Sequence, residues 1–238
     1  MASTILQLSD IHMRADGGPV YGRDPAERLE RVLDACEREL AAVDLVVLAG
    51  DHSDDGESAA MSRVAKLVDR LAAPVLAIPG NHDCRRAHGE VFGDSAPIER
   101  GGWRVIGVDS SIPGEVHGTV DVSALELLLD GLDDRPTVLA LHHPPLPPTG
   151  HPLFRFERAA ELVASLASRP QVRALISGHV HMPFEVDVGS LRLLGGPSTL
   201  VPFDFAGDEL TVGTGGPTGA RVIALAEDGS LQSAVLEA

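Results

Sequence analysis

The ten residues Leu45-Val46-Val47-Leu48-Ala49-Gly50-Asp51-His52-Ser53-Asp54 change character halfway. The first five are apolar without alternation, which fits a strand buried on both faces. Gly50 then permits a sharp turn, and the residues beyond it offer two carboxylates and an imidazole. The same change recurs along the chain. Residues 4–8 read as a strand and run into Ser9-Asp10-Ile11-His12; residues 74–78 run into Pro79-Gly80-Asn81-His82-Asp83. Residues 137–141 run into His142-His143-Pro144-Pro145, and residues 173–176 into Ser177-Gly178-His179-Val180-His181.

Helical patterns separate these strands. Residues 24–40 carry an apolar stripe of Leu29, Val32, Leu33, Cys36 and Leu40. Asp24 is placed to cap that helix, Pro25 suits its first turn, and Glu27 completes a capping box. Residues 57–71 show Met61, Val64, Leu67, Val68 and Leu71 on one side. Residues 123–129 and 157–167 read as shorter helices, and 103–108 as a further strand. Buried strands between helices predict a sheet covered by helices. Beyond residue 182 the helices stop. Phe184–Val188 and residues 191–194, 221–226 and 231–236 read as short antiparallel strands, joined by turns at Val188-Gly189-Ser190-Leu191 and Glu227-Asp228-Gly229-Ser230. Residues 197–219, rich in Gly, Thr and Pro, form a long connection of the kind that lines a site, meets a partner or moves.

The chain has 238 residues, 44% hydrophobic and 23% charged, which suits one soluble domain over 1–238, with a core of 1–182 and a tail of 183–238. The first residues carry no basic leader, and no apolar run reaches the roughly 20 residues of a membrane helix. Two cysteines outside any paired motif suit a reducing compartment. These features predict a cytoplasmic protein without membrane insertion. A formal net charge of −16 and 3% aromatics argue against a nucleic-acid polymer as partner.

Ligands of open α/β sheets bind beyond the carboxyl ends of the strands, and the polar segments all fall there. Imidazole and carboxylate together suit zinc, manganese or iron. A carboxylate can bridge two cations, and a pair roughly 3.5–4 Å apart can clamp a phosphoryl centre. In Asp10-x-His12 and His179-x-His181 the two ligands fall on one side of an extended chain. Each triplet alone is an ordinary polar loop start; the ordered set, each at a strand end, is what points to a metal centre. Cations would also offset the chain's negative charge where an anionic substrate binds.

The ordered set Asp10-x-His12, Gly50-Asp51-x-x-Asp54, Gly80-Asn81-His82-Asp83, His142 and Gly178-His179-x-His181 resembles the calcineurin-like metallophosphoesterases, and spans residues 10–181. Further stretches resemble the bacterial class III cyclic-nucleotide phosphodiesterases: Tyr21-Gly22-Arg23, Asp109-Ser110-Ser111-Ile112-Pro113-Gly114, His117-Gly118 and Gly196-Pro197-Ser198-Thr199. The resemblance implies a four-layer α-β-β-α sandwich of two mixed sheets with helices outside. It implies two divalent metal ions, manganese, iron or zinc. One would be held by Asp10, His12 and His181, the other by Asn81, His142 and His179, with Asp51 bridging both. A bridging hydroxide would attack phosphorus, His82 would act beside the leaving oxygen as general acid or charge stabiliser, and Asp54 would orient His82. The substrate would be a small phosphodiester, first among them a 3′,5′-cyclic nucleotide. A broader phosphomonoesterase or diesterase acting on another nucleotide or a lipid phosphate, and a non-catalytic scaffold, are the alternatives. A homodimer through residues 197–219 is also implied.

Some positions stay open at this stage. Either His142 or His143 can be the ligand. His52 is either beside the site or packed. Asn81, His117 and Arg85 are candidate substrate contacts, His88 and His151 are expected in solvent, and Lys66 has no assigned role.

Overall fold

The computed structural model describes residues 3–206, 209–213 and 216–238. The readings made of residues 1 and 2 and of residues 207, 208, 214 and 215 within the long connection lie outside the described residues. In chain order the elements are β1 (Ser3–Leu8), α1 (Pro25–Glu39), β2 (Leu45–Ala49), α2 (Ser58–Val68), β3 (Val75–Ile78), α3 (Arg85–Phe92), β4 (Ile98–Arg100) and β5 (Trp103–Gly107). There follow α4 (Val122–Asp130), β6 (Thr137–Ala140), α5 (Ala159–Ala167), β7 (Val172–Ser177), β8 (Phe184–Val188), β9 (Leu191–Gly195), β10 (Phe203–Ala206), β11 (Glu209–Val212), β12 (Gly219–Leu225) and β13 (Leu231–Glu237).

The continuous apolar strands are explained by the two faces they cover. In β1 and β2, Leu6, Leu8, Val46 and Leu48 pack against Leu29, Val32, Leu33 and Cys36 of α1 and Val64 and Val68 of α2. Their alternate residues Ile5, Leu45 and Val47 face Trp103, Val105, Val138, Ala140, Ala174 and Ile176 of the second sheet. The outer face of that sheet, with Ile106, Leu139 and Leu175, is covered by Leu125 and Leu129 of α4 and by Leu162 and Leu166 of α5. This is the expected four-layer sandwich. The first sheet has the order β13-β12-β1-β2-β3 and the second β4-β5-β6-β7-β9-β8. Both are mixed: β1, β2 and β3 run parallel, as do β5, β6, β7 and β9, with antiparallel strands at the edges. Asp24 caps α1 by accepting from the backbone of Ala26 and Glu27, as its sequence predicts.

The tail divides between the sheets. The hairpin of β8 and β9 extends the second sheet, while β12 pairs with β1 in the first. Arg221 of β12, almost wholly buried, donates across the gap to the Gly195 and Phe184 carbonyls and to Glu185. Its register partner Gln7 donates to the Ser177 carbonyl at 2.7 Å. These buried donors find acceptors in the opposite sheet, as burial requires, and they fix the two sheets together next to the strand ends.

Residues 98–100 form β4, a strand the sequence reading did not assign, and three further segments differ from that reading. Residues 85–92 form α3, which their single glycine and clustered charges conceal. The connection 197–219 contains the β10–β11 hairpin, a two-stranded sheet of its own. The last helix begins at Ala159, because Arg158 takes a left-handed conformation with φ of 57°. Among the described residues no helix is long and apolar enough to cross a membrane.

α3 also carries His88 inward, where solvent was expected; it is 5% exposed. Its ring lies 5.4 Å from that of His52 and 5.1 Å from Phe92. His52 is packed here rather than placed in the metal cluster, with Nδ1 2.9 Å from Asp83 Oδ2. Asp83 also accepts from the backbone of Ser53 and Gly80, so it ties the loop after β2 to the loop after β3. Burial, with His52 alongside, pushes the His88 imidazole down to about 4. A histidine with a lowered folded pKa binds its proton only in the unfolded chain between that value and about 6.5. Stability therefore falls as the pH drops from 6.5 towards 4. His88→Phe should flatten that acid limb, removing on the order of 3 kcal/mol of pH dependence. Urea unfolding at pH 4.5 and pH 7 measures this; an unchanged difference between the two would refute it.

Candidate metal centre

Every polar segment leaves the carboxyl end of a parallel strand. β1 delivers Asp10 and His12, β2 delivers Asp51 and Asp54, and β3 delivers Asn81 and His82, all from the first sheet. β6 delivers His142 and His143, and β7 delivers His179 and His181, from the second. Five of these residues turn their side chains inward through left-handed backbone: Asp10 (φ 54°), His12 (51°), Asp51 (51°), His179 (71°) and His181 (54°). Such conformations cost a side-chain-bearing residue roughly 1–3 kcal/mol each and persist where the surroundings enforce them. Gly50 has φ of 90°, and a Cβ there would lie 2.2 Å from His142 Nδ1. Gly80 has no unusual φ. It is required by proximity alone, since a Cβ would meet Asp51 Oδ1 at 2.1 Å.

The side chains gather into two groups that meet at Asp51. In one, His12 Nε2 lies 3.1 Å from His181 Nε2, which lies 3.6 Å from Asp10 Oδ1. In the other, His142 Nε2 lies 3.2 Å from Asn81 Oδ1, with the His179 ring 5.0 Å from that of His142. Asp51 Oδ2 is 3.8 Å from His12 Nε2 and 3.3 Å from His142 Nε2. Its Oδ1 accepts from the backbone of His82 at 2.9 Å. Asp10, His12 and His181 bring potential ligand atoms within 4.8 Å of one another, as do Asp10, Asp51 and His142.

Hydrogen bonds at the rear of the rings set their tautomers. His142 Nδ1 lies 2.8 Å from the Ala49 carbonyl and His181 Nδ1 2.9 Å from the Val201 carbonyl. A carbonyl only accepts, so each Nδ1 carries a proton and Nε2 is the nitrogen turned inward, the one that a cation would meet in place of a proton. His143 differs: its Nδ1 meets Ser110 Oγ at 2.9 Å and its Nε2 the Val116 carbonyl at 3.1 Å. Both of its nitrogens are turned to Ser110 and Val116, at the side of the cluster, whereas His142 turns its Nε2 to Asn81 and Asp51 within it.

The electrostatics suit cations. Burial, reinforced by His142, pushes His179 down to about 3, and burial with His12 holds His181 well below the usual histidine range. Both rings are neutral donors at neutral pH. Burial opposes charge on His142 as well, but the Asp51 carboxylate prevails and lifts it to about 9. A proton between these two groups occupies the place of a positive charge. Burial raises Asp10, against the pull of His142. Two buried carboxylates with uncommitted imidazole nitrogens form a nitrogen and oxygen donor set that fits two divalent cations.

The remaining predicted residues fall differently. His82 stands at the mouth, exposed, with Nδ1 3.3 Å from the backbone carbonyl of Asp54. The Asp54 carboxylate is nearer His12, at 3.3 Å from Nδ1, than His82, at 3.8 Å. Asp54 thus meets His82 through its main chain and His12 through its side chain. Arg85, expected at the substrate, is instead held by Asp109 at 2.6 Å and by Ser111, and faces a neighbouring cavity of about 350 Å³. His117 is also withdrawn: Glu157 lies 3.1 Å from its Nε2 and Glu115 3.5 Å from its Nδ1. His151 packs against Phe154 and Phe205. The cavity over the cluster, about 120 Å³, is walled by residues that sequence reasoning left unassigned, among them Tyr21, Phe154, Phe203 and Leu210. Tyr21 lay in a stretch resembling the diesterases, and Phe203 and Leu210 lay in the 197–219 connection expected to line a site, meet a partner or move; Phe154 lay in neither.

Comparison with known proteins agrees with this geometry. The family model of the calcineurin-like phosphoesterases matches residues 3–183. The chain is 36% identical to the 3′,5′-cyclic adenosine monophosphate phosphodiesterase CpdA of Pseudomonas aeruginosa, over 97% of this chain and 88% of that protein. It is 34% identical to the protein of the same name from Escherichia coli K12, with the same coverage. A dimetal phosphatase from Danio rerio shares the fold, with a TM-score of 0.69 at 15% identity over 99% of both chains. The chain belongs to the calcineurin-like phosphoesterase family, whose members use a dinuclear divalent metal centre.

Gly80→Ala should push Asp51 aside and weaken metal binding roughly 10- to 100-fold. Gly89→Ala, whose added Cβ meets nothing within 4 Å, should leave it unchanged. Metal content after dialysis, measured by elemental analysis, distinguishes the two; equal retention would refute the crowding argument.

Proposed function

We propose that this calcineurin-like phosphoesterase is a phosphodiesterase that acts on 3′,5′-cyclic nucleotides at the strand-end cluster. The observation that carries the reading is the position of Asp51, whose carboxylate stands between two donor groups beneath a cavity with His82 at its mouth. The names of the relatives similar over most of the chain favour a cyclic nucleotide as substrate. That Cys36 and Cys84 are both free fits a cytoplasmic enzyme.

Asp10, His12 and His181 would hold one cation and Asn81, His142 and His179 the other, with Asp51 contributing to both; manganese, iron and zinc all suit such ligands. When bound, two divalent cations supply Lewis acidity and the positive charge that an anionic phosphodiester needs in an acidic protein. The side chains do the rest. The Ala49 and Val201 carbonyls accept from Nδ1 of His142 and His181 and so hold both rings with Nε2 inward. Asp54 fixes His82 through its carbonyl at Nδ1, which leaves Nε2 to face the cavity. As an imidazolium, His82 can pass the Nε2 proton to the leaving oxygen.

Protein stripped by chelator and reloaded with manganese should hydrolyse bis(p-nitrophenyl) phosphate and cyclic AMP well, and p-nitrophenyl phosphate slowly. A preference for the monoester would overturn the diesterase reading. Asp51→Asn should abolish turnover and lower the metal content. His82→Ala should keep both metals and lose roughly 10²–10⁴-fold in kcat on cyclic AMP. The loss should be smaller for p-nitrophenolate, a leaving group that needs little protonation. A uniform loss across leaving groups would exclude the acid role.

A further inference from the structure

Tyr21 stands where a bulky side chain is disfavoured. Val20 and Arg23 exchange both backbone hydrogen bonds, each 2.9 Å, and close a two-residue turn. Its central residues, Tyr21 and Gly22, have φ of 49° and 70°. Left-handed backbone at both positions is the geometry that asparagine and glycine favour in such turns. Among the described residues eight with side chains show positive φ, and five of them are the inward-turned aspartates and histidines of the metal cluster. Strain of this kind collects at functional sites, and Tyr21 belongs to one. It is the only tyrosine in the sequence. Its ring stands edge-on 6.3 Å from His12 and 6.0 Å from Phe203, and lines the cavity above Asp51 and Asn81.

The rim around it is apolar. Phe203 lies flat on His181, with ring centroids 3.8 Å apart. Val116 and Leu153 line the cavity and, like Tyr21, are large apolar-bodied side chains left exposed to solvent. Among the described residues no arginine or lysine lines it. The floor therefore receives one phosphoryl group, and nothing on the walls answers a second anionic group. What the walls offer is aromatic and aliphatic surface for a flat, uncharged body.

We infer that Tyr21 is a specificity-determining residue: held by its strained turn, it supplies surface on which an aromatic group carried by the phosphodiester lies, and it favours substrates carrying an aromatic heterocycle such as a nucleobase. This rests on the phosphodiesterase reading above, and the substrates can be chosen to separate the two. Methyl p-nitrophenyl phosphate and bis(p-nitrophenyl) phosphate share a leaving group and differ in the remaining ester. Cyclic AMP and a base-free ribose 3′,5′-cyclic phosphate differ only in the base.

Manganese-loaded wild type, Tyr21→Asn and Tyr21→Phe decide the matter. Tyr21→Asn should raise KM for cyclic AMP and for the bis ester roughly ten- to hundredfold, the scale of base stacking on an aromatic side chain. It should leave kcat, the methyl ester and the base-free substrate near their wild-type values, and Tyr21→Phe should keep the wild-type KM. Because asparagine suits the turn, the Tyr21→Asn melting temperature should equal or exceed that of the wild type. Equal losses on both members of each pair, or no loss on either, would overturn the assignment. So would a lowered melting temperature or metal content in Tyr21→Asn. If wild type cleaves the esters and not cyclic AMP, the cyclic-nucleotide reading fails while the ester pair still decides Tyr21. Failure of wild type on every substrate with both metals bound would remove both.

Discussion

The carboxylate of Asp51 is the fixed point on which the other side chains depend. One of its oxygens faces imidazoles from both donor groups, and the other is held by the backbone of His82. Its carbonyl receives the amides of Ile11 and His12 at 2.9 Å, so the same residue also anchors the loop after β1. The missing side chain of Gly80 opens the space into which it turns. A buried carboxylate in this position must be matched by positive charge, and imidazoles of both groups stand within 4 Å of it.

The two donor groups do not each belong to one sheet. Asp10 and His12 come from the first sheet and their companion His181 from the second; Asn81 comes from the first and His142 and His179 from the second. The centre therefore exists only where the sheets face each other. Gln7 and Arg221 hold that contact with hydrogen bonds from β1 and β12 to carbonyls of β7, β8 and β9. Core packing sets the distance between the sheets, and these buried polar links set their registration near the ligands.

The four layers and the gathering of histidines and aspartates at the strand ends were legible in the sequence because both leave periodic or compositional traces. Apolar runs of strand length name the layers, and histidine with aspartate after each run names the cluster. The choice between His142 and His143 was not legible, since it turns on Ser110 and the Val116 carbonyl behind the second ring. His117 was drawn away by Glu157, forty residues later in the chain. His88 was misread because α3 itself was hidden by its charges and its glycine. The cavity walls come from positions as far apart as Tyr21, Phe154 and Phe203, which share no spacing that a linear reading could detect.

The pairing of β12 with β1 has a consequence for the order of events during synthesis. Ser3 lies opposite Leu225, so β1 must wait for a strand made some two hundred residues later. Closing a loop of that length is slow compared with forming local contacts. Domains emerge from the ribosome N-terminus first, so every ligand of the centre leaves the tunnel while one edge of β1 still lacks its neighbour. An unpaired edge is a template for pairing with another chain. For this fold the vulnerable interval lies after the clustered aspartates and histidines have appeared and before β12 returns to pair with β1 in the first sheet.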